Sequence, residues 1–147
     1  MDGPPVSGEL DKDLAFDREQ MGRVMEKLLV IASQPQLSSE AEVSHSALLL
    51  TSLYQGAEEI LQILRSNADK PALEGSAWHQ RLLQEYEGDP TFPFDSMKKL
   101  MAFRHMVRHT YSFELIPERV WEVLQLTVQM WPSWERWLGN QLEENIN

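Results

Sequence analysis

The sequence has no cysteine among its 147 residues. A chain without cysteine can form no disulfide, and it supplies no thiolate to a nucleophilic site, a zinc site or an iron–sulfur cluster. Folds that depend on such crosslinks or clusters are therefore excluded. The chain is nevertheless long enough to bury a sizeable core, and it has the length of one ordinary domain.

Long apolar runs are also lacking. The longest candidate, ALLLTSLY at 47–54, is much shorter than the roughly 18 apolar residues that cross a bilayer. The opening MDGPPVSGELDKD has no positively charged segment followed by an apolar run, so it is not a secretory signal. We therefore expect a soluble, cytoplasmic protein with no membrane partner.

An excess of positive charge is the third absence, because the formal net charge is −10. Such a chain cannot coat nucleic acid broadly and non-specifically. A local basic groove stays open, since the stretch 96–113 contains no acidic residue. Four of the 13 lysines and arginines of the chain fall there: Lys98, Lys99, Arg104 and Arg108.

Strand alternation between hairpin turns is absent too, whereas apolar residues recur at helical spacing. The predicted fold is all-α, an antiparallel bundle of four main helices plus one or two short ones. A flexible tail is expected over 1–12 and a single helical domain over 13–147. The predicted helices cover 14–32, 39–65, 77–87, 97–111 and a last segment from Pro117 that Pro132 should kink or interrupt.

Several local signals refine this outline. Ser39 followed by Glu42 has the spacing of a capping box, and Asp95 or Ser96 is the expected cap of the fourth helix. Gly56, inside the second helix, indicates close approach of a neighbouring helix. The tryptophans of the last helix are expected to pack at one end of the bundle or at an oligomer interface: Trp131, Trp134 and Trp137.

The segment FRHMVRHTY, residues 103–111, concentrates arginine and histidine in an acidic chain. On one helix, His105, Arg108 and His109 would share a stripe, and Arg104, Arg108 and Tyr111 the next. Arg104 and His109 would lie about 140° apart at roughly 100° per residue. They could converge if the helix loosens between them, or if a symmetric partner supplies the complementary residue. A dimer is inferred on that ground.

The side chains of this segment offer a specific chemistry. Arginine presents a permanently charged fork that matches phosphate oxygens, and histidine can take up and return a proton near neutral pH. If Arg104 holds a phosphodiester while His109 removes a 2′-hydroxyl proton, RNA can be cleaved without a metal. Tyr111 could stack on a base or donate a hydrogen bond to a phosphate.

Plainer interpretations compete with this one, and from physics alone a solvated basic helix face carries the most weight. His105 and His109 have the i,i+4 spacing of a zinc-binding helix, but the glutamate of that motif is missing, so no metal is expected. Glu58 or Glu59 could face a cleft and anchor Arg104, although exposure of both to solvent is the more expected outcome. His79 is expected to be a surface residue, and Glu42 with His45 a cap and a surface histidine.

The segment resembles the R-x4-H-x-Y signature of HepT-type toxins of the HEPN superfamily, with Arg104, His109 and Tyr111 in the motif positions. The likeness extends to LLLTSLYQGAEEILQIL, to WHQRLLQEY and to KKLMAFRHMVRHTYSFELIPERVWEVL. Together these segments cover roughly residues 45–125.

The resemblance implies an all-α homodimer in which arginine and histidine of both protomers line a cleft and cleave RNA without metal or cofactor. Arg104 would clamp phosphate and His109 would act as general acid or base, with His105, Arg108 and Tyr111 positioning the substrate. The implied partner is a minimal nucleotidyltransferase antitoxin that can attach AMP to Tyr111. The alternative is a non-catalytic HEPN-type module that binds a nucleotidyltransferase or a nucleotide.

Overall fold

Five α helices and one short 3-10 helix, Ser112–Glu114, make up the regular structure of this computed structural model, which describes residues 6–144. Residues 6–144 contain no strand. The predicted all-α fold of four long helices and a short one is confirmed. The α helices are α1 Val6–Ala32, α2 Glu40–Asn67, α3 Trp78–Gln84, α4 Phe94–Arg108 and α5 Pro117–Glu144.

Helix α2 occupies the centre of the bundle, since it packs against α1, α3, α4 and α5. Its apolar positions recur at three- and four-residue steps, as the sequence pattern predicted. Each leucine or isoleucine buried in this way stabilises the fold by about 1.5–3 kcal/mol relative to an exposed position. The fully buried apolar residues of this face include Leu50, Leu53, Tyr54, Ile60 and Leu61.

Helix α1 begins earlier than the sequence pattern suggested. The expected tail over 1–12 is wrong from Val6 onward, where the chain is already helical; residues 1–5 lie outside the described part. Leu10 and Leu14 are fully buried, and their four-residue spacing continues the apolar stripe of the helix towards its start. This burial outweighs the unfavourable composition of the opening segment.

The cap of α2 is confirmed, whereas the predicted cap of α4 is wrong. The Ser39 hydroxyl accepts a hydrogen bond from the Glu42 backbone N–H at 3.1 Å, satisfying one of the free donors at the helix start. The Glu42 carboxylate accepts from the Ser38 N–H at 2.7 Å. In α4, neither Asp95 nor Ser96 is the cap, because the Pro93 carbonyl already accepts the first helical hydrogen bond from Met97.

Gly56 lies where α1 and α2 meet, as predicted. A Cβ atom at this position would stand 2.7 Å from Cγ of Met21 in α1, closer than real side-chain contacts allow. Met21 is itself buried, so the methionine occupies the space that a larger residue at 56 would need.

Helix α5 runs through Pro132 without a break, so of the two predicted effects of this proline, a kink or an interruption, the interruption is wrong. Proline removes one helical hydrogen bond at a cost of about 3 kcal/mol, but buried side chains flank it on both sides. Trp134 and Trp137 are buried as predicted, and Trp137 contacts the rings of Tyr86 and Phe92. The helix is therefore fixed by packing on each side of the proline.

Among residues 6–144, no helix combines the length and the apolar character that crossing a membrane requires.

Candidate functional site

A groove of about 680 Å³ runs along the exposed side of α4 and is closed on one flank by the start of α3. Three permanent cations and three histidines line it, and none of its lining residues in the described part is acidic. The groove is therefore a local region of positive potential on an acidic chain. Its lining residues are Ala77, His79, Gln80, Lys98, Met101, Ala102, Arg104, His105, Arg108 and His109.

The amphipathic sequence of α4 explains how these side chains come together. Met97, Leu100 and Phe103 are buried against the bundle, which fixes the rotation of the helix about its axis. The residues on the outward face follow at three- and four-residue steps and lie along the groove: Lys98, Met101, Ala102, His105, Arg108 and His109.

The end of α4 differs from the prediction, and the difference matters for the site. The helix ends at Arg108, with His109 as its C-terminal cap at φ −113° and ψ 14°. The His109 N–H donates to the Met106 carbonyl at 3.1 Å and the Thr110 N–H to the Val107 carbonyl at 3.3 Å, three residues back in each case. The last turn is therefore tightened and the chain leaves the helix at His109, and Arg104 and His109 both line the groove.

His105 and His109 lie side by side as predicted, with ring centroids 4.6 Å apart. Tyr111 does not share a helical stripe with Arg104 and Arg108, because the helix ends before it. Its side chain is 71% exposed and stacks on Phe113 at 5.7 Å between ring centroids. The structure therefore brings Arg104, His105, Arg108 and His109 together and leaves Tyr111 on an exposed aromatic pair.

Arg104 forms a long ion pair with Glu58 of α2. The Arg104 Nη1 atom lies 3.9 Å from Glu58 Oε1, and the two side chains are 16% and 5% exposed. Exposure of both glutamates to solvent was the more expected outcome, and it is wrong for Glu58; Glu59 is exposed. A carboxylate this deeply buried requires a charged or hydrogen-bonding partner, and Arg104 is one.

His79 supplies the second partner, and its prediction as a plain surface residue is wrong. Its Nδ1 atom lies 2.6 Å from Glu58 Oε2, with the imidazole side chain 31% exposed. The ring also packs on Trp78 at 3.7 Å between centroids. The sequence offered Glu58 only as the less expected anchor of Arg104 and gave no signal for His79, which lies 21 residues further on and on a different helix.

Tyr54, one helical turn before Glu58 and fully buried, belongs to the same cluster. Burial, followed by the neighbouring Glu58 carboxylate, raises the pKa of the Tyr54 phenol, while Arg104 opposes the rise. The phenol thus stays neutral beneath the ion pair.

A second pocket of about 460 Å³ adjoins the groove, and Arg104 and His79 line both. Its character is opposite, because Asp17, Glu58 and Glu59 contribute to it. A hydrogen bond with Asp17, then burial and charge repulsion from the same carboxylate, raise the pKa of Glu59 to about 7. Arg104 and His79 therefore stand between a cationic groove and an acidic pocket.

Arg65 fixes the position of α3, and through it that of His79. Its guanidinium is buried and donates to the Pro71 carbonyl from Nε at 3.1 Å and from Nη2 at 2.7 Å. It also pairs with Glu85 just after α3. Ala77, immediately before the helix, adopts the left-handed conformation with φ 63°, so the chain turns sharply into Trp78 and His79.

These side chains can do two kinds of chemistry. Guanidinium and ammonium groups can hold phosphate oxygens by charge-assisted hydrogen bonds, and imidazoles can move protons near neutral pH. In the described part of the chain, no three histidine or carboxylate side chains are grouped so as to hold a metal ion. The groove is therefore suited to an anionic ligand.

A model of the family described as "HepT-like protein" matches residues 45–143. The matched range contains almost all of α2, the whole of α3 and α4, and every lining residue of the groove. No curated protein and no solved structure matches the chain.

Proposed function

The chain belongs to the family of HepT-like proteins, and from that premise we propose that it is a metal-independent ribonuclease toxin of the HEPN type. One observation carries the proposal. Arg104 and His109 of the R-x4-H-x-Y motif line one cationic groove, and Arg104 is paired with the buried carboxylate of Glu58.

The groove would bind the RNA backbone through its permanent charges. Arg104 clamps the scissile phosphate, and Arg108 and Lys98 contact neighbouring phosphates along the same helix face. The buried Glu58 carboxylate, 3.9 Å from Arg104 Nη1, would keep the guanidinium near the groove before RNA arrives. His105, beside His109, positions the substrate.

His109 would act as the general base of a transesterification. It removes the proton of a ribose 2′-hydroxyl; the O2′–P bond forms and the P–O5′ bond breaks. The departing 5′-oxygen takes up a proton, which leaves a 2′,3′-cyclic phosphate and a 5′-hydroxyl. Arg104 stabilises the charge that develops on the phosphoryl oxygens. No metal or cofactor is required in this scheme.

A homodimer and an antitoxin complete the proposal. A second copy would bring its own Arg104 and His109 to the same cleft across a two-fold axis.

The antitoxin would be a minimal nucleotidyltransferase that neutralises the toxin by attaching AMP to Tyr111. The phenol is 71% exposed and so accessible for modification. In this role the protein would act on cellular RNA in the cytoplasm.

The test compares Arg104→Ala and His109→Ala with His45→Ala, a control that removes an exposed histidine of α2 outside the groove. We expect each of the first two to abolish RNA cleavage in EDTA and growth inhibition in cells, with unchanged helical content by circular dichroism. The control should behave as wild type. Undiminished cleavage by His109→Ala would overturn the enzymatic proposal.

One observation favours a second candidate, a module that binds a partner and cuts nothing. Tyr111, Phe113 and Ile116 are all exposed apolar side chains just after the groove helix, and such a patch suits protein contacts. Total RNA left intact by the pure wild-type protein, with partner binding retained in Arg104→Ala and His109→Ala, would support this module.

A further inference from the structure

We propose that His79 is a second catalytic imidazole, the general acid that protonates the 5′-oxygen leaving group, with Glu58 as its positioning residue. This inference rests on the proposed ribonuclease function. It adds a residue from α3, outside the R-x4-H-x-Y segment.

The first support is that the two carboxylate oxygens of Glu58 contact two different side chains. Oε2 lies 2.6 Å from His79 Nδ1 and Oε1 lies 3.9 Å from Arg104 Nη1. The carboxylate is 5% exposed, so it interacts with these side chains and hardly with water. One buried anion thus sets the relative position of a phosphate-binding cation and an imidazole.

The second support is the tautomer that this contact imposes. A carboxylate accepts hydrogen bonds, so Nδ1 carries the proton and donates it to Glu58. Nε2 is then the nitrogen through which His79 can give or take a proton. Orientation of a histidine by a carboxylate at Nδ1 is a recurring arrangement among catalytic histidines.

The third support is location. His79 lines the same groove as Arg104 and His109, although it reaches that groove from a different helix. Its side chain is 31% exposed. The Nδ1 edge of the ring is fixed by Glu58, and part of the ring remains accessible from the groove. The other groove histidine, His105, is exposed and packs against His109, which suits it to contact substrate.

The local backbone fixes His79 in this place. Arg65 anchors the loop before α3 at Pro71 and pairs with Glu85 after it. Trp78 packs on the imidazole ring at 3.7 Å between centroids. Such support on both sides of a side chain is what holds a catalytic group in its productive geometry.

The reaction then has one imidazole for each proton. His109 takes the proton from the 2′-hydroxyl as the O2′–P bond forms. His79 gives its Nε2 proton to the 5′-oxygen as the P–O5′ bond breaks. His109 has gained one proton and His79 has lost one, so the substrate has no net change in protons, and return of a proton from His109 to His79 through water restores the starting state.

The experiment uses the full-length protein and two forms of one RNA oligonucleotide. The first has the natural 5′-oxygen at the mapped cut, and the second has a 5′-bridging sulfur, a leaving group that departs without protonation. The variants are His79→Ala, His79→Asn and His109→Ala, with His45→Ala as control. His79→Asn keeps an N–H donor for Glu58 but has no nitrogen that can titrate.

On the oxygen substrate, we expect both His79 variants to lower kcat by about 10²–10⁴-fold with little change in KM. Their pH–rate profiles should lose the limb in which the rate falls with rising pH. On the sulfur substrate, His79→Asn should approach the wild-type rate, while His109→Ala stays slow and His45→Ala behaves as wild type.

Three results would contradict the proposal and can be told apart. A wild-type rate and pH profile in His79→Asn would remove His79 from catalysis and leave the ribonuclease proposal intact. Equal slowing of His79→Asn on both substrates would show a structural role. A wild-type protein that cleaves neither substrate would overturn the ribonuclease proposal, and this inference with it.

Discussion

Glu58 is the residue on which the geometry of the candidate site depends. It is buried in the central helix, and its two oxygens serve one cation and one imidazole from two other helices. Transfer of a lone carboxylate to such a position would be strongly unfavourable. The burial is therefore tolerable only with Arg104 and His79 in place, which makes the three side chains one cooperative unit.

Gly56 and Gly22 provide a matched pair of glycines at the level of single residues. Each lies inside a helix, but a Cβ at Gly56 meets Met21 at 2.7 Å, whereas a Cβ at Gly22 has no atom within 4 Å. Gly22→Ala should raise the free energy of unfolding by about 1 kcal/mol through helix propensity. Gly56→Ala should not gain this stability, because packing the added Cβ against Met21 costs about 1–3 kcal/mol.

Urea denaturation of the two variants and the wild type measures this difference. Equal stabilisation by both alanines would show that α1 and α2 are not packed as closely at Gly56 as described.

Single residues also mark how far the sequence could be interpreted. Arg104 and His109 could be proposed as site residues from the sequence because they stand in one short motif. Glu58 carried a weaker signal, since it follows the buried Tyr54 by four residues and precedes the buried Leu61 by three. Its helix face was thus predictable and Arg104 was one possible partner, but its contact with His79 was not foreseen. His79 had no local signal, because its contact with Glu58 exists only once α3 has packed against α2.

Among the elements, α3 depends most on a single anchor. Arg65 is buried and bonds to Pro71 and Glu85, on either side of this seven-residue helix. Arg65→Leu should lower the free energy of unfolding by about 2–4 kcal/mol, because a buried charged group and its hydrogen bonds are lost. It should also slow RNA cleavage, since α3 carries His79.

Arg23→Leu is the matched control, because Arg23 pairs with Glu19 on an exposed face of α1. Such a pair contributes at most about 1 kcal/mol, and cleavage should be unchanged. Thermal unfolding followed by circular dichroism, with cleavage rates alongside, checks both variants. Full activity in a destabilised Arg65→Leu protein would show that the position of α3 does not affect RNA cleavage.

Helix identities were predictable from periodicity, whereas helix ends were set by local capping and by tertiary packing. The motif helix was expected over 97–111 and runs over Phe94–Arg108, because hydrogen bonds to the Pro93 and Val107 carbonyls define its two ends. Helix α5 continues through Pro132 since buried tryptophans on the far side hold it. A pattern of apolar residues records which face is buried, and it does not record where packing ends a helix.

For the whole molecule, the central feature is a cationic groove on a chain of net charge −10. At physiological salt, charges more than about 8 Å apart are largely screened, so an RNA in the groove experiences mainly the local cations. The acidic remainder disfavours non-specific binding of RNA elsewhere on the surface. On the proposed function, this distribution of charge would confine RNA contact to the groove.

The overall fold and the family were both open to inference from the sequence, because α2 and the motif helix carry strong patterns and the match to HepT-like proteins covers residues 45–143. The position of α3 against α2 was not, since it depends on contacts over about 20 residues of sequence, between Arg65 and Glu85 and between Glu58 and His79.

The most direct measurement of the central claim is the chemistry of the RNA ends. Purified protein is incubated in EDTA with an RNA oligonucleotide and with a second one that lacks only the 2′-hydroxyl at the mapped cut. We predict fragments ending in a 2′,3′-cyclic phosphate and a 5′-hydroxyl from the first, and no cleavage of the second. Fragments with 5′-phosphate ends, or equal cleavage of the 2′-deoxy substrate, would contradict an Arg104–His109 site that uses the 2′-oxygen of the RNA.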